Sequence, residues 1–139
     1  MHQYCRCLCG YTQFEIETMN QNVTACHCSL CRRQSGGINM NIHIKEGSLR
    51  WITENYVSIY QSSERGERGF CNHCGTSLFW RTQDQKFCNI NVFCIVHNND
   101  DLILKTQIYI DNKPSFYEFR NETTNLTEAD VIALYSAKN

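Results

Sequence analysis

The chain has 139 residues, 42% of them hydrophobic and 19% charged, with a formal net charge of -1. That length and balance predict one globular domain, residues 1–139, and exclude a disordered chain. The slight acidity argues against a general nucleic-acid binder, and no run approaches the roughly 20 apolar residues of a membrane span.

In chain order, the first signal is a short strand over 14–17. Residues 29–35, directly after a cysteine cluster, predict a brief helix. The strongest periodicity is Ile38, Met40, Ile42 and Ile44, apolar at every second position, which marks a strand with one buried face. Residues 61–69, QSSERGERG, are polar with two glycines and read as an exposed loop. Further strands are expected over 56–61, 77–81, 87–93 and 103–110, where aromatic and β-branched residues dominate. Thr127 to Asp130 resembles a helix N-cap, with Val131, Ile132, Leu134 and Tyr135 as an apolar stripe behind it. The class is mainly β with short helices.

Ten cysteines punctuate this pattern, and seven fall into three tight clusters: Cys7-x-Cys9-Gly10, Cys26-His27-Cys28-x-x-Cys31 and Cys71-x-x-Cys74-Gly75. No secretory leader is visible at the N-terminus, so a reducing cytoplasm is expected, where clustered cysteines bind metal more often than they form disulfides. A one- or two-residue gap lets two sulfurs face one ion. A following glycine permits the positive φ such turns need. The two pairs, Cys7 with Cys9 and Cys71 with Cys74, close one tetrahedral zinc site between them and would staple the N-terminal strand to the middle of the chain. Cys26, Cys28 and Cys31 offer three thiolates to a second zinc. A structural zinc takes four protein ligands, and a catalytic one keeps a position for water or substrate.

Cys5 is left as a spare thiol. Cys88 and Cys94 lie in an apolar stretch and read as buried, although either could complete the three-cysteine site. His27 and His73, each inside a cluster, are expected to point away from the metal as exposed side chains. His2, His43 and His97 are isolated and read as surface or satisfied histidines. Arg32 and Arg33 follow the middle cluster, where they could offset its negative charge and meet the carboxylates of a bound thiol, or stand as solvated charges.

The order C-x-C-G, C-H-C-x-x-C-R and F-C-x-x-C-G-T-x-L-F-W resembles the glutathione-dependent formaldehyde-activating enzyme family, which includes centromere protein V. Cys28 to Gly36, Glu67 to Cys71 and Asp111 to Tyr117 extend the likeness. The resemblance implies a zinc-bound β-tent fold of small antiparallel sheets. It implies a structural zinc on Cys7, Cys9, Cys71 and Cys74, and a catalytic zinc on Cys26, Cys28 and Cys31. The implied reaction joins formaldehyde to glutathione as S-(hydroxymethyl)glutathione, or reverses it, as a carbon–sulfur lyase. Gln107 stands near where many members carry histidine. The partners expected are glutathione or another small thiol and a small aldehyde, with no nucleic acid and no membrane. The sequence carries no signal for oligomeric state. The alternative is a non-enzymatic, zinc-stabilised protein-binding module of the same fold.

Overall fold

The protein is described by a computed structural model covering residues 1–97 and 100–137. Its strands are β1 (His2–Arg6), β2 (Gln13–Cys26), β3 (Asn39–Ile44), β4 (Arg50–Thr53), β5 (Val57–Gln61), β6 (Gly66–Cys71), β7 (Ser77–Thr82), β8 (Cys88–Asn91), β9 (Ile103–Ile108) and β10 (Thr124–Leu126). Helix α1 spans Ser29–Ser35 and α2 spans Glu128–Ala137. Short 3-10 turns occupy Val92–Cys94 and Ile110–Asn112. Among the described residues no helix is long and apolar enough to cross a membrane.

The mainly β character is as expected. The long β2 is the spine, pairing with β1 and β4 at one end and with β3 and β9 at the other. The path β10-β9-β2-β3-β8-β7-β6-β5 is mostly antiparallel, but β9 runs parallel to β2 and β10 parallel to β9. β2 is long because it changes phase midway. Phe14, Ile16 and Thr18 are buried, then Val23 and Ala25. The register with β3 jumps between Thr18 and Val23, where Asn20 Oδ1 accepts the Asn22 N–H at 2.9 Å. An irregularity of this kind moves the inward set from even to odd positions without ending the strand.

The inward faces form one apolar cluster that includes Phe14, Ile16, Ile42, Leu78, Phe79 and Ile90. Each such side chain contributes about 1.5–3 kcal/mol by leaving water. Trp51 closes the cluster, its ring 5.3 Å from Phe14 and 6.0 Å from Phe79. The expected strand over 38–44 is present as β3, with Ile42 and Ile44 buried and His43 exposed between them.

The exposed loop expected over 61–69 is a correction. Residues 66–71 form β6, and Gly66, Arg68 and Gly69 are buried in it. The glycines mark close approach rather than freedom. A Cβ on Gly69 would lie 2.3 Å from the Phe79 ring, and one on Gly66 would lie 2.4 Å from Trp80. Two cross-strand aromatic rings occupy the space that side chains would fill. At the C-terminus the expected cap is present: the Asp130 N–H donates to Thr127 Oγ1 and the Thr127 N–H to Asp130 Oδ2. The apolar stripe is not continuous, since Val131 is buried and Ile132 and Leu134 are exposed.

Candidate metal centres

The sulfurs of Cys7, Cys9, Cys71 and Cys74 all lie within 4.8 Å of one another. Cys7 and Cys9 come from the turn after β1, and Cys71 and Cys74 from the turn after β6. Both turns close on glycine at φ 82°, Gly10 and Gly75, whose N–H groups bond back to Cys7 O and Cys71 O at 3.2 and 2.7 Å. The sulfurs of Cys7 and Cys9 are 3.4 Å apart, and those of Cys9 and Cys71 are 3.9 Å apart. Tetrahedral zinc with Zn–S bonds of about 2.3 Å sets sulfurs about 3.8 Å from each other. The four donors therefore fit zinc by type, number and spacing.

Thr76 joins the two turns, taking the Leu8 N–H at 3.0 Å and leaving its hydroxyl proton for Cys74 Sγ at 3.1 Å. Burial raises the Cys74 pKa, but that hydroxyl and neighbouring N–H and S–H donors outweigh it and hold the thiol down to about 5. Burial likewise opposes ionisation of Cys7. There the Thr12 N–H on the sulfur, at 3.3 Å, and the adjoining thiols win and lower it.

The second group is Cys26, Cys28 and Cys31, whose sulfurs also converge within 4.8 Å. Cys26 ends β2, laddered between Asn39 of β3 and Ile108 of β9. Cys28 is the N-cap of α1, its sulfur accepting the Cys31 N–H at 3.3 Å. Cys31 is the buried residue of that helix. Three sulfurs this close do not all ionise without a cation. Hydrogen bonds with Cys28 and Cys31, and then burial, push Cys26 far up. Hydrogen bonds from Cys26 and Cys31 draw the charge onto Cys28. Among the described residues no fourth cysteine, histidine or carboxylate joins this group. Cys5, Cys88 and Cys94 are buried and stand outside both groups. Burial foremost pushes each of these three thiols up to about 12.

Sequence reasoning missed the cation of this site. Arg68, 4% exposed, aims both terminal guanidinium nitrogens at Cys31 Sγ, at 3.6 and 3.5 Å, and its Nε at Ser62 Oγ, at 3.1 Å. A buried guanidinium needs an anion, and among the described residues its side chain meets a hydroxyl and this sulfur. The cysteine group is therefore built to carry negative charge, as a metal-thiolate set does.

His27 is a further correction. It is fully buried rather than exposed. Nε2 donates to Gln107 Oε1 at 2.8 Å, Gln107 Nε2 donates to Thr123 Oγ1 at 2.8 Å, and the Tyr117 hydroxyl donates to Nδ1 at 2.8 Å. The backbone between two candidate ligands is thus clamped to β9 and to the segment after residue 112. Burial foremost lowers the His27 pKa, in keeping with a neutral ring. His73 is exposed and stacks on Tyr11 at 4.5 Å.

Arg32 and Arg33 part company. Arg32 Nε donates to His27 O at 2.9 Å and its Nη2 to Asn112 O at 3.4 Å, so it braces the backbone around the cysteines. Arg33 is exposed on α1. Two more tyrosines, Tyr109 and Tyr135, stand close enough to feel the cysteines' charge. Burial first and then Cys28 and Cys26 push Tyr109 up to about 12, and burial with Cys26 raises Tyr135.

Residues 2–112 match the model of a family described as glutathione-dependent formaldehyde-activating enzyme. An uncharacterized lyase of Schizosaccharomyces pombe is 30% identical over 129 residues, 91% of each chain. A crystal structure of a Rhodobacter sphaeroides protein shares the fold, with a TM-score of 0.60 at 23% identity over 72% of this chain and 92% of the other. With the family match spanning both cysteine groups, the chain belongs to the glutathione-dependent formaldehyde-activating enzyme family.

Proposed function

We propose that the protein is a zinc-dependent carbon–sulfur lyase of the S-(hydroxymethyl)glutathione synthase type, joining a small thiol such as glutathione to a small aldehyde or parting them. The observation that carries this reading is the inequality of the two cysteine groups, four convergent sulfurs against three. Four sulfurs saturate a tetrahedral ion, whereas three leave one position for a thiol. Zinc held by Cys26, Cys28 and Cys31 would lower the pKa of a thiol bound there and keep it as thiolate near neutral pH.

The chain's own residues set the rest. Arg68 brings a fixed positive charge to Cys31 from the buried side, so a fourth thiolate meets less accumulated negative charge. The His27 clamp and Arg32 hold the spacing of the ligands. Arg33, free of the backbone bonds that occupy Arg32, is the candidate for a carboxylate of the thiol substrate. The alternative of a non-enzymatic module would gain from Cys88 or Cys94 closing the three-cysteine group, and among the described residues neither sulfur joins it.

The test is direct. Zinc-loaded protein is mixed with glutathione and formaldehyde, and adduct formation and breakdown are followed by NMR exchange. The expected result is glutathione binding and faster exchange than in buffer. Protein that neither binds glutathione nor changes the exchange rate ends this reading.

A further inference from the structure

Strand β7 sends its side chains to both faces of the sheet. Trp80 is paired with Arg68, which reaches Cys31, so these two residues share the face of the three-cysteine group. Side chains alternate along a strand, so Arg81 points to the other face, together with its cross-strand partners Glu67 and Cys88. There a cavity of about 220 Å³ opens between the turn that joins β3 to β4 and the hairpin that joins β7 to β8. Ile44, Leu49, Trp51 and Cys88 give it apolar walls, and Arg81 and Lys86 bring positive charge to its lining.

Arg81 is the informative residue. Its side chain is 12% exposed, its guanidinium carbon lies 4.7 Å from the centroid of the Phe79 ring, and its Nε donates to Glu67 Oε1 at 2.7 Å. A guanidinium carries five N–H donors in a rigid fork, and this contact uses one of them. Among the described residues neither Nη atom has a hydrogen-bond partner, and neither is sealed in the core. The ring and Glu67 fix the group in place while its outer edge stays unspent. That edge is the one that takes both oxygens of a carboxylate in two parallel bonds.

The neighbouring charges and the volume limit what the cavity takes. Glu67 offsets the charge of Arg81, and Lys45 pairs with Glu17 at 3.6 Å. Among the described residues Lys86 forms no ion pair, and Glu46 stands exposed on the turn. One negative charge is therefore accommodated by Arg81 and Lys86, whereas a dianion would also meet two carboxylates. The volume is below the roughly 300–1,000 Å³ of drug-sized pockets, so the ligand is small, and the tryptophan and aliphatic walls suit an apolar body. We infer that this cavity binds a small monocarboxylate with an apolar body, its carboxylate forked on the two Nη atoms of Arg81 beside Lys86 and its body against Trp51. The site lies on the face away from the three-cysteine group and does not depend on the proposed function.

The test uses the full-length, zinc-loaded chain, with benzoate as the probe and NMR of the Trp51 indole N–H and the Lys86 amide as the readout. Benzyl alcohol, which has the same ring without the charge, and inorganic phosphate are the comparisons. Benzoate is expected to shift both signals saturably, and benzyl alcohol and phosphate to leave them in place at the same concentrations. Arg81→Lys keeps a positive charge beside Glu67 but loses the planar fork, and is expected to weaken benzoate binding about 10- to 100-fold, the loss of a charge-assisted hydrogen bond. Lys86→Gln changes only an exposed side chain, leaves the fold intact and is expected to weaken binding about two- to fivefold. Absence of a saturable benzoate shift in the wild-type chain overturns the inference. Equal binding of benzyl alcohol or phosphate overturns the assignment to a monocarboxylate, and wild-type benzoate affinity in Arg81→Lys or Lys86→Gln overturns the roles given to those residues.

Discussion

Replacing Arg68 by Met removes the buried cation beside Cys31 while keeping a long side chain in its place. Two unit charges about 4 Å apart attract by about 4 kcal/mol at an effective dielectric near 20. The guanidinium charge is delocalised and the thiolate shares its charge with the ion, which brings the loss to about 2–3 kcal/mol, near the upper range for a charged hydrogen bond. Zinc affinity at Cys26, Cys28 and Cys31 should therefore fall about 30- to 100-fold. The metal-free fold should tolerate the change. Without metal Cys31 keeps its proton: the Cys26 bond favours the thiolate, but the Cys28 bond, burial and the Cys28 charge prevail, and methionine beside a neutral thiol is unstrained. The assay is competition with a chromophoric chelator that resolves the two zinc ions. Affinity at Cys7, Cys9, Cys71 and Cys74 serves as the internal reference and stays constant. Equal retention of both ions in Arg68→Met would refute the charge argument.

Gly69→Ala should destabilise the chain by about 1–3 kcal/mol through overpacking against Phe79, read from urea unfolding; wild-type stability would mean that the ring moves freely. Cys74→Ser should lower the thermal midpoint sharply, whereas Cys28→Ser should abolish adduct exchange and leave the midpoint close to wild type, since only the first group ties β1 to β6. The Asp130 carboxyl, in its cap with Thr127, is held below its ordinary value of 3.8 by the Thr127 N–H and hydroxyl. A lowered folded pKa means the cap contributes fully above the unfolded value and is lost as pH falls through the folded one. NMR shifts of α2 should report fraying there, and helicity that is flat through that range would discount the cap.

Both cysteine groups were legible because each is a local pattern: short gaps fix the sulfurs, and Gly10 and Gly75 take the positive φ that their positions suggested. The helix over 29–35 and the strand over 38–44 were equally local, one set by the turn after Cys28 and the other by strict alternation. Arg68 was hidden because two glycines in a polar run look like a loop. The usable signal was the pairing of Arg68 with Trp80 and of Gly69 with Phe79 across β7, a cross-strand fact that periodicity does not carry. His27 was hidden for a related reason. Its partners Gln107 and Tyr117 lie 80 and 90 residues away, and nothing near His27 distinguishes a clamped ring from a solvated one. The parallel pairing of β9 with β2 brings Gln107 there, and parallel register leaves no turn signal in the sequence.

In the proposed enzyme one ion is closed by four protein sulfurs and the other takes a thiol. Cadmium-113 NMR of cadmium-loaded protein, titrated with glutathione, tests it most directly. Two resonances are expected, one in the four-sulfur range that does not move and one in the three-sulfur range that shifts to four-sulfur character as glutathione binds. Two four-sulfur resonances before glutathione is added, or a second resonance that glutathione leaves in place, would contradict it.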